Sequence, residues 1–460
     1  MTTDLIIVGG GLSGCEAAWQ AAQNGLRVEL YEMRPTVSTG AHTTDRLAEL
    51  VCSNSLGSHL IDRATGLLQE EIRRLGSLLL ECAISVALPA GGALAVDRES
   101  FANLVSRRIE THPNIRIVRS EVDAIPGAPC IIASGPLTSP SLTTSIQQLT
   151  GQDNLFFFDA IAPIIRADSI NMQVAFRASR YGTGEKDEGD YINCPFTKAE
   201  YEAFSTALLA AERIRLHEFE RIIDSGVTAG HADFFEGCLP IEILAQRSPQ
   251  ALSFGPMRPV GLKDPRTGRR PYAVLQLRQD NLASSLFNLV GFQTNLTFPE
   301  QKRVFRLIPG LENAEFVRFG QMHRNTFIAS PLVLSPTLQF ATRHDLFFAG
   351  QITGVEGYMG NIATGWLAGT NAARLLAGKA PLSLPETTML GALIHYVTHA
   401  TLRDFQPMKA NFGLLPPFDE PGKGKRERAW QHVHRSMANL DSWATENGIP
   451  LQPSSAEIHL

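Results

Sequence analysis

The first 32 residues alternate between apolar and mixed segments in an order typical of a β-α-β unit. Residues 5–8, LIIV, form a continuous apolar run, which predicts a buried strand. Residues 13–25 are rich in alanine and end at Gly25, which predicts a helix, and residues 27–32 alternate as a strand does. This order predicts a parallel sheet and hence an α/β fold.

The same alternation of element types continues along the chain. The patterns predict helices over residues 63–79, 98–112 and 361–378, and buried strands within 129–136 and from 345. Between these segments the character changes: 181–198 is polar and turn-rich, 198–215 is a long charged helix, and 254–300 is rich in Pro, Gly, Arg and Gln. We therefore predict a discontinuous nucleotide-binding domain over 1–180 and 326–450, an inserted domain over 181–325, and a flexible tail over 451–460.

Composition narrows the class of protein. The chain has 460 residues, is 44% hydrophobic and carries a net charge of −5, so it can bury a large core and shows no global basic field. None of its six cysteines forms a C-x-x-C pair, so we expect neither a metal site nor a dithiol redox motif. The apolar stretch 78–96 is interrupted by Glu81, Pro89 and two glycines, and the N-terminus lacks a basic region. We expect a cytoplasmic protein with reduced thiols.

A glycine-rich turn follows the first predicted strand. Gly9, Gly11 and Gly14, with Gly10 between the first two, form G-x-G-x-x-G, and Glu32 ends the next strand. The glycines permit a tight turn and close approach to a pyrophosphate, while the acid can accept ribose hydroxyls. A plain strand-helix turn is the alternative interpretation, but strand, helix and acid all stand where a dinucleotide requires them.

A second glycine-rich turn suggests which dinucleotide is bound. It is GQITGVEGYMG near the C-terminus, and Gly350, Gln351 and Gly354 are its candidate cofactor contacts. No second G-x-G-x-x-G follows the first. Together with the strand end IIASGP, this is similar to the two-domain flavoprotein pattern, so FAD is favoured over NAD.

Two cysteines lie in segments that are typical of turns. Cys52 begins a run of small polar residues in LVCSNSLGS, and Cys238 lies between Gly237 and Leu239-Pro240. An arbitrary cysteine is most often a small buried hydrophobe, the interpretation that we favour for Cys15, Cys82, Cys130 and Cys194.

Ten stretches of the chain together resemble one enzyme family, the folate- and FAD-dependent tRNA (uracil-5-)-methyltransferases (TrmFO). The resemblance runs from residue 1 to about 435, and CSNS together with FEGC is specific to it. The stretches are GGGLSGCEAA (9–18), YEMRP (31–35), CSNSL (52–56), ALAVDRESF (93–101), IIASGPLTS (131–139), FFEGCLPIE (234–242), FGPMRPVGL (254–262), MHRNTFI (322–328), GQITGVEGY (350–358) and NFGLLP (411–416).

The resemblance implies both a fold and a reaction. The fold is a GidA-like, Rossmann-type FAD-binding domain with an inserted smaller α/β domain. The reaction transfers the one-carbon unit of 5,10-methylenetetrahydrofolate to C5 of a T-loop uridine in tRNA. Reduced FAD supplies the hydride, NAD(P)H is the reductant, and 5-methyluridine is the product.

The resemblance also implies roles for particular residues. Cys52 and Cys238 are catalytic: we favour Cys238 as the thiolate that adds to C6 and Cys52 as the flavin-side partner or base, an assignment that can be reversed. His323 would stack on the pterin ring, with Asn325 bonding the same ring, although His323 is also compatible with a structural role.

The RNA substrate requires positive charge somewhere on the surface. Basic residues cluster in DPRTGRRPY and GKGKRER, and either cluster could contact phosphates or be a solvated loop. The candidate contacts are Arg266, Arg269, Arg270, Lys423, Lys425, Arg426 and Arg428.

Other functions remain open at this point. A larger FAD enzyme that makes carboxymethylaminomethyl-uridine shares both glycine-rich turns, but it has a helical C-terminal domain and lacks FEGC. A flavin-dependent disulfide reductase or NAD(P)H oxidase, without methyl transfer, is disfavoured because the sequence has no C-x-x-C or C-x-x-x-x-C motif and no second G-x-G-x-x-G. A non-catalytic RNA-binding flavoprotein, or methylation of a ribosomal RNA uridine, also remains.

Overall fold

The computed structural model describes residues 3–39, 41–151, 155–182, 188–214, 239–402 and 405–454. For residues 155–160 and 322–324 the backbone alone is described. Cys238 lies outside these ranges.

A largely parallel sheet forms one layer of the molecule. The apolar runs LIIV, CII and LFF are its central strands and are almost wholly buried, as expected when helices cover both faces. Within the described ranges, the order across this first sheet is β16 (Gln339–Phe340), β17 (Arg343–Phe348), β7 (Cys130–Ile132), β1 (Leu5–Val8), β2 (Val28–Tyr31) and β6 (Ile115–Val118). All neighbours pair in parallel except β16 and β17.

Helices pack around this sheet. They are α1 (Leu12–Gln23), α2 (Ala64–Arg74), α3 (Leu78–Ser85), α4 (Arg98–Glu110), α5 (Pro140–Thr150), α10 (Ser330–Val333), α11 (Tyr358–Leu376), α12 (Met389–His399) and α13 (Lys425–Asn447). α11 lies directly against α1, because Cβ atoms at Gly365 and Gly369 would meet the carbonyl oxygens of Ser13 and Ala17 at 2.3 and 2.4 Å. This contact brings the beginning of α11 beside the first glycine-rich turn.

The single helix predicted over residues 63–79 is wrong. The structure has two helices there, because Gly76 adopts a φ of +78° and ends the first. The Ser77 side chain then accepts a hydrogen bond from the Leu80 amide and caps the second. The helix predicted over 198–215 is also shorter, ending at Leu209.

An antiparallel sheet forms the second layer and has its own core. Within the described ranges its order is β10 (Phe176–Ala178), β11 (Tyr191–Phe196), β12 (Ala273–Gln279), β13 (Leu286–Leu289), β9 (Ile164–Arg166) and β14 (Phe316–Arg318). Its helices are α6 (Lys198–Leu209), α7 (Ile241–Arg247), α8 (Ala251–Phe254) and α9 (Phe298–Phe305). The sheet takes in strands before residue 181, and the division into domains at 181 and 325 stays a prediction.

Two small sheets and several short 3-10 turns complete the described fold. One sheet is β3 (Ser55–Ser58), β5 (Ala93–Val96) and β4 (Ala87–Leu88), and the other is β15 (Met322–Phe327) with β8 (Leu155–Ala160). The 3-10 turns are Ala167–Ser169, Arg180–Gly182, Gln351–Thr353 and Phe412–Leu414. Among the described residues, no helix has the length and apolar character that a membrane span needs.

A buried carboxyl group ties three helices of the first layer together. Glu71 on α2 accepts hydrogen bonds from the amides of Met389 and Leu390 at 2.6 and 2.8 Å and from the Ser436 hydroxyl at 2.5 Å. Burial nevertheless raises the pKa of Glu71 from 4.5 to about 7, because desolvation outweighs these bonds.

We expect Glu71→Gln to alter how stability depends on pH. Because the folded pKa of about 7 lies above the ordinary 4.5, the native state holds this proton more tightly than the unfolded chain. The wild type should therefore lose about 3 kcal/mol relative to the glutamine variant as pH rises from about 4.5 to about 7. Unfolding midpoints of both proteins across this range test it, with the exposed Glu81→Gln as control. A constant difference between wild type and Glu71→Gln would contradict the prediction.

Candidate functional site

A cleft of about 1230 Å³, part of it open to solvent, lies at the carboxyl ends of β1, β2 and β7. This is the edge at which parallel α/β sheets bind their ligands. Its walls combine both glycine-rich turns, the strand end after β7 and the segment that contains Cys52. The lining includes Gly9, Gly10, Gly11, Leu12, Ser13, Glu32, Arg34, Cys52, Ser134, Gly135, Pro136, Asn325, Gln351, Tyr358 and Asn361.

The first glycine-rich turn is shaped as a dinucleotide clamp. Gly9 has a φ of +107° and its amide donates to the Tyr31 carbonyl at 2.8 Å. A Cβ at Gly14 would lie 1.8 Å from the Gly9 carbonyl oxygen, so Gly14 serves close packing of helix on strand. Gly11 begins α1 without a side chain to cap it, which leaves the first helical amides for a ligand.

Glu32 lies in the cleft wall, and both of its carboxylate oxygens already accept hydrogen bonds. Its carboxylate accepts from the Gly10 amide at 3.0 Å and from the Arg34 amide, Nε and Nη2 at 3.0, 2.9 and 3.2 Å. Burial raises the pKa of Glu32, but the Arg34 hydrogen bonds outweigh it and hold the pKa below its usual value. A carboxylate has about four acceptor directions. A ribose hydroxyl would therefore share or replace one of these bonds.

The second glycine-rich turn lies beside the helix that follows the first turn. Gly350 has a φ of +83°, and a Cβ there would lie 2.1 Å from the Ser13 hydroxyl of the clamp helix. Gln351 lines the cleft directly. Gly354 does not line it, and a Cβ at that position would meet the Phe405 ring at 2.7 Å. The structure therefore gives Gly354 a packing role behind the wall.

Two independent observations indicate that the cleft fits a dinucleotide cofactor. The side-chain oxygen of Asn361 is buried against the cleft and has no hydrogen-bond partner among the described residues. A Cβ built on Gly11 meets no described atom within 4 Å, so the space before the helix is open. A buried polar atom without a partner costs free energy, which a polar ligand would recover.

Cys52 lies in the wall of the same cleft, half-buried. The Tyr358 hydroxyl accepts hydrogen bonds from the Cys52 and Ser53 amides at 2.9 and 3.0 Å, across 306 and 305 residues of sequence. Burial, and then the nearby Cys52, raises the pKa of Tyr358 well above its usual range. A neutral tyrosine thus fixes the backbone that carries the thiol.

The second sheet reaches the cysteine segment from the other side. Arg278 on β12 donates to the Asn54 side-chain oxygen at 2.9 Å and to the Ser53 hydroxyl at 2.7 Å. The Asn54 amide nitrogen donates in turn to the carbonyls of Val96 and Gln279 at 3.1 and 3.0 Å. The CSNS stretch is therefore held between the two layers of the molecule.

The two candidate folate residues belong to β15. Asn325 is buried and lines the cleft. The backbone of His323 lies two residues earlier and pairs with Asp159 on β8, while its side chain lies outside what the structure describes. The structure thus brings Asn325 to the same cleft as Cys52, and leaves the role of His323 a prediction.

The four cysteines interpreted as structural are buried in the cores. Burial raises the pKa of Cys82 to about 12, and raises that of Cys15, Cys130 and Cys194 further. Thiols of this kind remain protonated and unreactive.

The basic candidates lie on the surface, away from the lining of the cleft. Arg266 is half-exposed, and its Nη2 pairs with Asp264 at 2.8 Å. Arg269 and Arg270 of the same loop are exposed. Lys423 precedes α13, and Lys425, Arg426 and Arg428 lie in its first turn, all of them exposed.

Sequence reasoning missed four residues that shape the site. Arg278 and Tyr358 bond to the Cys52 segment, which is distant in sequence, and Arg34 bonds to a buried carboxylate two residues away. Asn361 presents to the cleft a side-chain oxygen that has no partner among the described residues. Arg34 and Tyr358 belong to the stretches YEMRP and GQITGVEGY, so the resemblance marked their neighbourhood without giving them a role.

Comparisons with known proteins agree with this geometry. Residues 4–380 match the family model "Glucose inhibited division protein A". The chain is 54% identical over 444 residues to the methylenetetrahydrofolate--tRNA-(uracil-5-)-methyltransferase TrmFO of Heliobacterium modesticaldum, covering 96% of this chain and 98% of that protein. It is 56% identical over 436 residues to the protein of the same name from Pelotomaculum thermopropionicum, covering 95% and 97%.

Solved structures agree on the fold. Aquifex aeolicus GidA in its form I crystal superposes with a TM-score of 0.68 at 16% identity, over 96% of this chain and 76% of that one. The predicted fold class and the predicted family are both confirmed. The chain belongs to the glucose-inhibited division protein A family and, within it, to the TrmFO family.

Proposed function

We propose that this chain is an FAD-dependent enzyme that transfers the one-carbon unit of 5,10-methylenetetrahydrofolate to C5 of a tRNA uridine, giving 5-methyluridine. The observation that carries the proposal is that Cys52 lies in the same cleft as the dinucleotide clamp. The names of relatives that share more than half of the sequence supply the folate donor and the tRNA acceptor. NAD(P)H is proposed as the reductant and the cytoplasm as the location, where reduced thiols persist.

The chemistry explains why a thiol stands beside the clamp. C5 of uracil becomes nucleophilic when a thiolate adds to C6, and it can then bond to the methylene carbon of the folate. The C5 proton must leave to a base while the bond between the methylene carbon and the folate nitrogen breaks, so that tetrahydrofolate departs and a methylene group remains on C5. Hydride addition to this carbon then gives the methyl group, expels the thiolate from C6 and restores the pyrimidine. FAD, when bound and reduced, supplies the two electrons that convert the methylene to a methyl.

We propose a separate role in this reaction for each group of cleft residues. Gly9, Gly10 and Gly11, with the open start of α1, would hold the pyrophosphate, and Gln351 and Asn361, which also line the cleft, would contact the cofactor beside them. Cys52 is the proposed flavin-side partner or base and Cys238 the proposed nucleophile, with the reverse assignment open. Asn325 is the proposed partner of the pterin, together with His323.

The RNA is proposed to bind along the loop that holds Arg269 and Arg270. Arg270 lines a second hollow together with Lys263 and Tyr181, whose side chain is 72% exposed. A Cβ on Gly261 would lie 3.1 Å from the Tyr181 ring, so the glycine lets the ring lie flat on the backbone. An exposed ring beside two cations suits a nucleobase and its phosphates. The target uridine must turn out of the T-loop to reach the cleft.

We expect Arg269→Ala combined with Arg270→Ala to weaken tRNA binding and flatten its salt dependence. Each lost phosphate contact lowers the slope of log K against log salt by about 0.9. Binding titrations at several salt concentrations measure both quantities, with Arg116→Ala as control because that side chain is 71% exposed on the first sheet. An unchanged slope would place the RNA elsewhere, and the basic start of α13 would be tested next.

The proposed reaction is tested directly by following the one-carbon unit of the folate. Purified protein is incubated with methylenetetrahydrofolate labelled in its one-carbon unit, NAD(P)H and an unmodified tRNA transcript. Label recovered as 5-methyluridine supports the proposal. Label in ribosomal RNA fragments alone would redirect the substrate, and reductant consumption without label in RNA would indicate an oxidoreductase that lacks methyl transfer.

A further inference from the structure

Two guanidinium groups donate hydrogen bonds to the chain on either side of Cys52. Arg98 Nη1 donates to the carbonyls of Leu50 and Val51 at 2.9 and 3.1 Å, just before the cysteine. Arg278 donates to Ser53 and Asn54, just after it, at 2.7 and 2.9 Å. Every residue that flanks the thiol over this stretch is therefore bonded to an arginine.

Among the described residues, these two arginines have one bonded carboxylate between them, that of Asp280. Arg278 is only 8% exposed, and its acceptors on Ser53 and Asn54 are both neutral. Arg98 pairs with Asp280, with Nε 3.2 Å from Oδ1, but its buried Nη2 has no hydrogen-bond partner among the described residues. Burial lowers the pKa of Arg278. A buried cation beside neutral acceptors costs free energy unless an anion is near.

We propose that Arg98 and Arg278 are positioning residues that hold Cys52 in the cleft wall and stabilise it as a thiolate. The inference deepens the proposed function and rests on it for the role of the thiol. A thiolate is the reactive form of cysteine, whether it acts as nucleophile or as base.

Further charged groups lie around these two arginines. Arg318 on β14 adds a third guanidinium, donating to the Ala41 carbonyl at 3.2 Å. Asp280 and Glu49 carry negative charge. Asp280 pairs with Arg98, and Glu49 is already bonded to Arg34 at 3.1 Å.

Tyr358 contributes no charge. Its hydroxyl is held neutral by burial, which raises its pKa well above the usual range. The two guanidinium groups bonded to residues 50–54 outnumber the one carboxylate bonded to them, Asp280, and we therefore expect a net positive field at the sulfur.

The test is the pH dependence of Cys52 alkylation in the FAD-loaded protein. The alkylation rate with iodoacetamide is followed by mass spectrometry of the Cys52 peptide in wild type, Arg278→Gln and Arg278→Lys. We expect Arg278→Gln to raise the midpoint by about one pH unit or more, and Arg278→Lys to raise it by less because the charge is kept. Arg180→Gln is the matched control: Arg180 Nε donates to the neutral Gln276 side chain on β12 at 2.8 Å, and its Nη1 donates to the Val260 carbonyl at 2.7 Å.

Two results would overturn the proposal. One is an Arg278→Gln variant that retains FAD and tRNA binding yet keeps the wild-type midpoint. The other, which needs no variant, is a wild-type midpoint at or above about 8.5, the value for an unperturbed cysteine. If the wild type shows a low midpoint but transfers no methyl group, the proposed function fails while the inference about the thiolate stands.

Discussion

Cys52→Ala is expected to lower methyl transfer about 10³-fold or more while FAD binding is unchanged. The thiol is the proposed reactive group in the cleft wall, whereas the Cys52 amide, which donates to Tyr358 at 2.9 Å, is kept by alanine. Loss of a nucleophile or of a general base costs this much or more. Single-turnover transfer of labelled carbon to tRNA measures the chemical step, and the flavin absorbance of the purified variant measures the cofactor.

Cys194→Ala is the matched control, because Cys194 is fully buried in the second sheet and takes no part in the cleft. It should retain activity. A Cys52→Ala enzyme with wild-type turnover would remove Cys52 from the mechanism. With 5-fluorouracil tRNA, a covalent adduct that survives Cys52→Ala but not Cys238→Ala would assign the C6 attack to Cys238, and the opposite pattern would reverse the roles.

The second prediction with a large effect distinguishes Gly14 from Gly11, two glycines of the dinucleotide clamp. Gly14→Ala should destabilise the fold by about 3 kcal/mol and yield colourless protein, since its Cβ would lie 1.8 Å from the Gly9 carbonyl oxygen and backbone cannot yield that far. Gly11→Ala should fold normally, because Gly11 has a φ of −78° and its Cβ would meet no described atom within 4 Å.

The methyl group of Gly11→Ala would occupy space that the ligand needs, so we expect about a tenfold loss of FAD affinity, equivalent to about 1.4 kcal/mol. Thermal unfolding of the apo-proteins and FAD titration distinguish the two variants. Equal unfolding midpoints for Gly14→Ala and wild type would refute the packing argument. Undiminished affinity in Gly11→Ala would mean that the pyrophosphate does not approach this turn.

Local features of the fold were predictable because their causes are local. The β1-α1-β2 unit follows from an apolar run, three glycines and an alanine-rich helix within 32 residues, and the structure confirms it. The break at Gly76 was missed because apolar periodicity continues through it, and the backbone conformation of one glycine outweighed that pattern.

The supports of the site could not be predicted from pattern. Tyr358 meets the Cys52 amide across 306 residues, and Arg278 meets Ser53 across 225. Nothing in the local sequence of either partner encodes the other, because such contacts exist only once two layers have packed. Resemblance drew attention to Cys52 and Cys238, but it could not indicate that Glu32 would be shared with Arg34.

The arrangement of strands in the first sheet has a consequence for biosynthesis. β7 pairs with β1 on one side and with β17 on the other, so it gains its second neighbour only after residues 343–348 have left the ribosome. The antiparallel sheet, whose strands lie between Ile164 and Arg318, can be complete before that moment. The nascent chain therefore carries an open, apolar strand edge while residues 133–348 are being made, a state that favours chaperone binding. Because Gln351 and Asn361 also line the cleft, we expect flavin uptake only after this later segment has been made.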